Sequence, residues 1–320
     1  MKAFGVLVCW MIVMFTGCSS SVRILVERAP ELHLKGVKTI KVGHFPVNGT
    51  LNLDLVEEKG SVLGTISDIA LDAGANKLAK KKHPEMSRRH QNGLKKAMRS
   101  HGFFKVTDRA DFDALLSGSI TYTVKDAGAL KKDTSQKGQS REYYELTRSA
   151  ETRVEITATD KKGNVLGTSQ ASARAWDKTR KDNRAAALIG TENWDKVVDR
   201  ALTASHPAVL RRIAPYSVWE TRVLEKGDSK AIKKGVKAAR KGKWPEAAFL
   251  WESALKTGNR EDKSAALYNL GIYDEAKGEL HDALSKFEQA LSISGRAQYA
   301  NDIARLKARI EDDERMRGLE

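Results

Sequence analysis

The stretch LYNLGIYDEAKGELHDALSKFEQAL, residues 267–291, is the strongest internal signal in the sequence, because the chain holds an earlier copy of it. That copy reads GVKAARKGKWPEAAFLWESAL at residues 235–255, and the two copies lie 36 residues apart, from Gly235 to Gly271. Glycine, alanine and an aromatic residue recur at equivalent places in both copies. Small residues are needed where two helices touch closely, and the aromatic residue fills the gap between neighbouring helix pairs. The stretch therefore predicts stacked pairs of helices.

Both copies resemble the tetratricopeptide repeat (TPR), a helix–turn–helix unit of about 34 residues. Asp274 stands where that repeat usually has tyrosine, and Ser294-Gly295 stands where a proline usually ends it. The resemblance implies an all-α TPR-like array with a capping helix over residues 230–320, whose concave surface suits a peptide or a partner helix. The residues that carry the pattern, predicted to pack the repeats and candidates for partner binding, are Gly235, Gly242, Ala247, Trp251, Ala254, Leu270, Gly271, Ala283, Phe287 and Ala290.

Two tryptophans of the first copy have two interpretations. Trp244 and Trp251 could anchor a bound peptide, since aromatic residues dominate binding hot spots. The alternative, which the repeat pattern favours, is that they belong to the core of the repeat.

The region before the repeats mixes strand and helix patterns, which predicts one mixed α/β domain over residues 35–225. The predicted fold class is α+β: an N-terminal mixed α/β, sandwich-like domain followed by an all-α array of helical hairpins. The individual segments are a strand in 37–46, helices over 61–82 and 85–101, a polar loop at 125–141, a hairpin over 152–176 that turns at DKKGN, and helical structure over 190–224.

Part of this domain resembles the curli-secretion lipoprotein CsgG and the LpoB type of penicillin-binding-protein activator. GFFKVTDR at residues 102–109, followed by LLSGSITY at 115–122, is similar to a sequence motif of those families. The resemblance covers about twenty residues and implies a fold, not an activity. The second segment lies within a predicted strand, ALLSGSITYTV, in which alternate residues from Leu116 to Val124 share one face.

The N-terminus has the three parts of a secretory signal: Lys2, an apolar core, and small residues before Cys18. Residues 15–18, FTGC, resemble the bacterial lipobox, with phenylalanine in the usual place of leucine. The resemblance implies a signal peptide at 1–17, an acylated Cys18 as residue one of the mature chain, and a lipidated tether at 18–34. Cys9 leaves with the signal, so Cys18 is the mature chain's only thiol. The alternative is an ordinary cleaved signal with an accidental cysteine.

The formal charge of +15 normally suggests a nucleic-acid partner. A protein anchored to an envelope membrane instead meets anionic lipids and cell-wall carboxylates, so we expect no nucleic-acid partner. One basic tract could press on such a lipid or polymer, or could be a solvated helix face with no dedicated ligand. Its residues are Lys80, Lys81, Lys82, Arg88, Arg89, Lys95, Lys96 and Arg99.

The sequence contains no recognisable set of catalytic or metal-binding residues, so we expect no enzyme, no cofactor and no metal. The seven histidines form no H-x-x-x-H pair, and no thiol remains beyond Cys18. Residues 253–256, SALK, match the S-x-x-K pattern of penicillin-interacting enzymes, but the companion motifs SDN and KTG are missing.

These observations favour a non-catalytic lipoprotein that binds other envelope proteins through its TPR-like region. Ser19 follows Cys18 where an inner-membrane retention signal resembles aspartate, which favours an outer-membrane anchor facing the periplasm. The alternative is an oligomeric, CsgG-like pore or secretion component. Against it, the candidate membrane hairpins are rich in Lys, Asp and Ser.

Overall fold

The structure, a computed structural model, describes residues 20–53, 62–134 and 140–318, with the side chains of 62–76, 78 and 134 outside that description. It divides into two compact units. The α/β unit is Arg28–Tyr216 with the described residues after Glu311, and the helical unit is the described residues through Glu27 with Ser217–Glu311.

In chain order the elements are β1 (Ser21–Arg28), β2 (Thr39–Val42), β3 (Val47–Asn52), α1 (Val62–His101), β4 (Lys105–Thr107), β5 (Ala114–Thr134), β6 (Ser140–Thr159), β7 (Val165–Lys181), α2 (Arg184–Gly190), α3 (Trp194–Ile213), β8 (Tyr216–Val223), α4 (Lys230–Ala239), α5 (Trp244–Thr257), α6 (Arg260–Lys277), α7 (Leu280–Ser294) and α8 (Ala297–Arg317).

The α/β unit is built on a six-stranded sheet of order β4-β2-β5-β6-β7, with β3 also paired to β5. The pairs β2–β4, β2–β5 and β3–β5 are parallel, whereas β5–β6 and β6–β7 are antiparallel. Helices α1 and α3 pack on this sheet. Along β6, Val154 and Ile156 are buried while Arg153 and Glu155 are exposed, so one face of the strand meets the core.

Several predicted elements are confirmed. The fold is α+β, with an α/β unit and a helical unit. Strand β2 lies inside the predicted segment 37–46, and the hairpin over 152–176 is formed by β6 and β7. The Asp160 carboxylate fixes its turn by accepting bonds from the backbone N–H groups of Lys162 and Asn164, both at 2.8 Å. On β5, Leu116, Ile120 and the other alternate residues to Val124 share the core-facing side.

Four predictions about elements were wrong. The two helices predicted over 61–82 and 85–101 are one helix, α1, which continues through Pro84. Residues in the predicted tether 18–34 form β1, and the end of the predicted helical segment 190–224 forms β8. The loop predicted at 125–141 is paired strand from Lys125 to Thr134 and again from Ser140.

The last difference coincides with a buried contact between the two strands. In the polar part of the hairpin, the Arg148 guanidinium donates two hydrogen bonds to the Asp126 carboxylate, at 2.8 and 2.7 Å, and a third to the Glu192 carbonyl at 2.9 Å. Both side chains are almost fully buried. A paired, desolvated Arg–carboxylate contact stabilises a strand whose composition alone is typical of a loop.

The helical unit consists of consecutive helices and one small sheet. Helices α4 and α5 pack together, as do α6 and α7, and α5 packs on α6. Strands β1 and β8 form a two-stranded sheet, which we call the ribbon. The core of this unit includes Trp251, Phe287 and Tyr299, each fully buried.

Candidate interaction site

The two sequence copies place the same contact at the same point of each helix pair. A methyl group on Gly271 would lie 2.6 Å from Phe287 Cε1 on the facing helix, and one on Gly235 would overlap the Trp251 indole. Gly242 and Gly278, also equivalent, both have positive φ, 76° and 86°, at the turn that ends the first helix of each pair. A glycine is required at both kinds of position, for close approach and for left-handed backbone. The repeat is therefore one of packing as well as of sequence.

All ten residues predicted to carry the repeat lie in the helical unit. Every one of them is buried except Gly242, which is exposed in its turn. Trp251 is fully buried, and Trp244 is half-buried and stacks on Tyr273 with ring centroids 6.0 Å apart. Buried side chains hold the helices together but do not touch a partner, so a partner must use other residues.

The first helix of the second copy, α6, is covered by the chain's own backbone. The Asn269 side chain accepts a bond from the Glu225 N–H at 2.7 Å and donates one to the Glu225 carbonyl at 2.9 Å. About two turns earlier on α6, Asp262 Oδ1 accepts bonds from the N–H groups of Asp228 and Ser229, at 2.9 and 3.1 Å. We call residues 224–229 the strap. Because the strap occupies these polar groups, they are not offered to a partner.

A buried carboxylate ties α6 to β8 and α8. The Glu275 side chain is fully buried and accepts bonds from Arg222 at 3.0 and 2.8 Å, from Arg305 at 2.6 Å and from Arg309 at 3.0 Å. Burial alone would raise the pKa of Glu275, but the hydrogen bonds from Arg222 and Arg305 outweigh it and lower the pKa to about 2. Glu275 is therefore ionised and acts as a structural anchor.

Helix α8 also packs on α6. The Tyr268 ring stacks on Tyr299 with centroids 4.3 Å apart, and its hydroxyl donates to Asp302 Oδ2 at 2.7 Å. With the strap, β8 and α8 in contact with it, α6 is buried along most of its length. The helical unit thus covers with its own residues the surface of α6 that a free repeat would present to a partner.

On the helices of the unit, the side chain of Phe249 stays outside this packing. Phe249 on α5 is 71% exposed. Its equivalent in the second copy is Ser285, so the repeat itself does not need an aromatic residue at this place. The neighbouring helix α4 and its turn carry exposed cations that have no ion pair within the described residues: Lys233, Lys234, Lys237, Arg240 and Lys241. Phe249 is the candidate anchor for a partner, and the exposed cations lie on α4, the helix that packs on α5.

The basic tract lies on α1 in the α/β unit, and the structure divides it into two groups. Half of its residues face carboxylates: Lys82 pairs with Asp195 at 3.0 Å, Arg89 with Asp199, and Lys95 with Asp108, which Arg99 also approaches at 3.8 Å. The other half is exposed, with no ion pair among the residues that the structure describes: Lys80, Lys81, Arg88 and Lys96. At this second half an anionic ligand would compete with no carboxylate of the described residues.

Two other polar features of the α/β unit are a buried pair of histidines and a cleft on the sheet. His90 and His206 lie on α1 and α3 with ring centroids 5.0 Å apart, both buried, and burial lowers the pKa of each. A cleft on the sheet is lined by Lys125, Glu151 and Arg174 among others. Across the described ranges, no cluster of three or more His, Cys, Asp or Glu side chains is arranged to hold a metal ion.

Two observations concern the membrane. Among the helices that the structure describes, none combines the length and the apolar composition needed to cross a bilayer. Cys18, the predicted site of acylation, lies outside the described residues, two positions before the first of them, Ser20.

Comparison with known proteins gives one family match and distant structural likenesses. A family described as "Domain of unknown function (DUF6340)" matches residues 233–311, which are most of the helical unit. No curated protein matches the chain. A neuraminyllactose-binding hemagglutinin homolog from Helicobacter pylori is 7% identical with a TM-score of 0.29, over 58% of this chain and 89% of that one. A minor lipoprotein from Acinetobacter baumannii is 13% identical with a TM-score of 0.22, over 56% of this chain and 92% of that one. At these TM-scores neither likeness bears on what this chain does.

Proposed function

We propose that this chain is a bacterial envelope lipoprotein, anchored through acyl chains on Cys18, that binds another envelope protein without catalysing a reaction. The TPR-like helical unit is the binding module, and the anchor lies in the outer membrane facing the periplasm. Two or three acyl chains give stable anchoring, because each buried methylene adds about 0.8 kcal/mol. Confinement to a membrane surface then raises the effective concentration of the module for a partner in the same envelope.

The observation that carries this proposal is the exposure of Phe249 beside a basic helix. A single exposed apolar side chain is common, but this one differs from its polar equivalent Ser285 in an otherwise repeated frame. Aromatic residues are the commonest anchors of protein interfaces. The uncompensated lysines of α4 favour a partner with an apolar pocket and an acidic rim.

A photo-crosslinking amino acid placed next to Phe249 tests the proposal in cells. Ser253 lies one helical turn beyond Phe249 and is exposed; its equivalent in the second copy, Gln289, is also exposed and serves as the matched control. We expect a discrete adduct from position 253, none of the same size from position 289, and loss of the adduct in the Phe249→Ser variant. Phe249→Ser copies the second repeat, so its stability should stay within about 0.5 kcal/mol of the parent. Equal adducts from 253 and 289, or an adduct indifferent to Phe249→Ser, would reject this site.

A second candidate, an oligomeric pore component, is favoured by the length of the β5–β6 hairpin. These strands have 21 and 20 residues, whereas a membrane strand needs about 9–11. The exposed face of the hairpin carries Lys125, Glu151 and Arg153, which are costly on a lipid-facing surface. Native mass measurement in detergent separates the two candidates, because a pore requires a ring of many subunits and the scaffold does not.

A further inference from the structure

The ribbon of the helical unit has one buried and one exposed face. On β1, Val22, Ile24 and Val26 are buried. The other face mixes apolar with polar and charged residues. Its apolar members are well exposed, Leu25 by 48%, Trp219 by 59% and Val223 by 50%. Its polar and charged members are Ser21, Arg23, Glu27, Ser217 and Thr221. A mixed face that exposes a tryptophan, a leucine and a valine beside an arginine has the composition of an amphipathic surface.

The side chain of Arg23 lies against Trp219, the aromatic residue of this face. The Arg23 guanidinium lies over the Trp219 ring, 5.6 Å from its centroid. A tryptophan with an adjacent arginine is typical of surfaces at the boundary between lipid and water, since the ring prefers the headgroup level and the guanidinium binds phosphate. Glu27, at the far end of β1 from Cys18, is the exposed acidic residue of that strand.

The ribbon begins almost at the predicted anchor. The Ser20 carbonyl accepts a hydrogen bond from the Leu224 N–H at 3.0 Å, so paired backbone starts two residues after Cys18. Two fully extended residues span at most about 7 Å. The headgroup layer on each side of a bilayer is itself roughly 5–8 Å thick. Acyl chains on Cys18 would therefore hold this end of the ribbon within the headgroup layer or directly on it.

We propose that the exposed face of the ribbon is a membrane-contact surface, with Trp219, Leu25 and Val223 in the lipid interface and Arg23 on lipid phosphate. The proposal rests on the acylation of Cys18 proposed above. It gives the anchor a second contact, so that the helical unit is held against the bilayer in one orientation instead of swinging on a two-residue link.

The size of the face favours lipid over a protein partner. A stable protein interface buries about 800 Å² on each side around an apolar centre, whereas the apolar side chains of this face stand among charged and polar ones. A tethered contact needs no such area, because the anchor already supplies the effective concentration.

Fluorescence quenching of the full-length, membrane-purified protein tests the surface. The protein is reconstituted in phosphatidylethanolamine–phosphatidylglycerol vesicles with brominated acyl chains, and the mass of the same sample reports its acylation. Trp219→Phe should lose most of the quenching seen in the parent. Trp176→Phe is the matched control, because Trp176 is 65% exposed but lies in the α/β unit, and it should keep the quenching. A Leu25→Ser, Val223→Ser double variant retains Trp219 as reporter and should show at least a twofold smaller quenching.

The outcomes separate the ribbon from the anchor. An acylated sample whose quenching is absent, or is unchanged by Trp219→Phe, overturns the membrane-contact surface and leaves the anchor in place. An unacylated sample overturns both. A dimer in detergent-free solution that dissociates in the Leu25→Ser, Val223→Ser variant shows that a second copy covers the face, and also overturns the proposal. Thermal melts followed by circular dichroism must show that each variant is folded.

Discussion

A single methyl group added to Gly271 is expected to destabilise the helical unit. It would lie 2.6 Å from Phe287 Cε1 and 3.2 Å from the Ala283 carbonyl oxygen, both on the facing helix. Overpacking of this kind costs about 1–3 kcal/mol. Gly271→Ala should therefore lower the urea midpoint of the helical unit.

A second substitution shows whether the cost comes from this contact. Phe287→Leu removes the ring edge that the new methyl group would meet. The double variant Gly271→Ala, Phe287→Leu should be more stable than the sum of the two single effects predicts, with a coupling of about 0.5–3 kcal/mol. Additive effects would mean that the glycine is not required by the aromatic ring.

At the residue scale the sequence predicted the residues that pack the repeat, but not Phe249, the exposed residue that we propose for partner contact. Gly235, Gly271, Trp251 and Phe287 were found because close helix contacts demand particular side chains at fixed spacing. The bonds of Asn269 and Asp262 to the strap were not predicted, because nothing in a local pattern indicates which distant backbone an amide or carboxylate will meet. Phe249 could have been found by aligning the two copies, where serine is its equivalent.

At the scale of elements, α1 carries a proline that should reduce its stability. Pro84 is exposed inside the helix, where it lacks the N–H group of the intrahelical bond. A proline in a helix interior costs about 3 kcal/mol, and Met86 and Leu94, both buried, offset that cost by packing in the core. Pro84→Ala should raise the free energy of unfolding by about 1–3 kcal/mol in urea titrations.

Pro245 is the matched control for this substitution. It lies in the first turn of α5, where no intrahelical bond is lost. Pro245→Ala should therefore change the stability by less than about 0.5 kcal/mol. A destabilised Pro84→Ala variant would show instead that the packing of α1 on the sheet depends on the backbone geometry that the proline imposes.

The elements predicted correctly are those with local signals. The helices of the repeats and the β6–β7 hairpin follow from periodicity and turn residues within a few positions of each other. The ribbon pairs β1 with β8, nearly two hundred residues later in the chain, and was predicted as a tether and a helix end. The polar part of β5 was predicted as a loop because composition does not reveal the cross-strand Arg148–Asp126 contact, which lies at paired positions of β5 and β6.

At the scale of the whole molecule, the two units should lose stability in different ranges of pH. In the α/β unit, burial and then the neighbouring His206 lower the pKa of His90 to about 3, from an ordinary value of 6.5. The unfolded chain then binds more protons than the folded one, so this stability is complete above pH 6.5 and declines as the pH falls towards 3. The loss amounts to as much as about 5 kcal/mol, at about 1.4 kcal/mol for each pKa unit.

The helical unit should resist acid over part of that range. The pKa of Glu275 is about 2 in the folded protein against an ordinary 4.5, because its arginine partners outweigh burial. Its contribution is therefore present above pH 4.5 and is lost only as the pH falls from 4.5 towards 2. Between pH 6.5 and 4.5 the histidines weaken the α/β unit while the Glu275 cluster remains intact.

Hydrogen exchange measured peptide by peptide, and corrected for the intrinsic effect of pH, distinguishes the units. As the pH falls from 7 to 4.5, peptides of α1 and α3 should lose protection before peptides of α6.

His90→Leu should preserve the protection of α1 and α3 in that range, since no buried imidazole remains there to be protonated at position 90. Glu275→Gln should weaken α6 already at pH 7, because three arginines would then face a neutral side chain in a buried site. If α6 loses protection first, or if His90→Leu leaves the order unchanged, the acid response of the molecule is set by groups other than these buried ones.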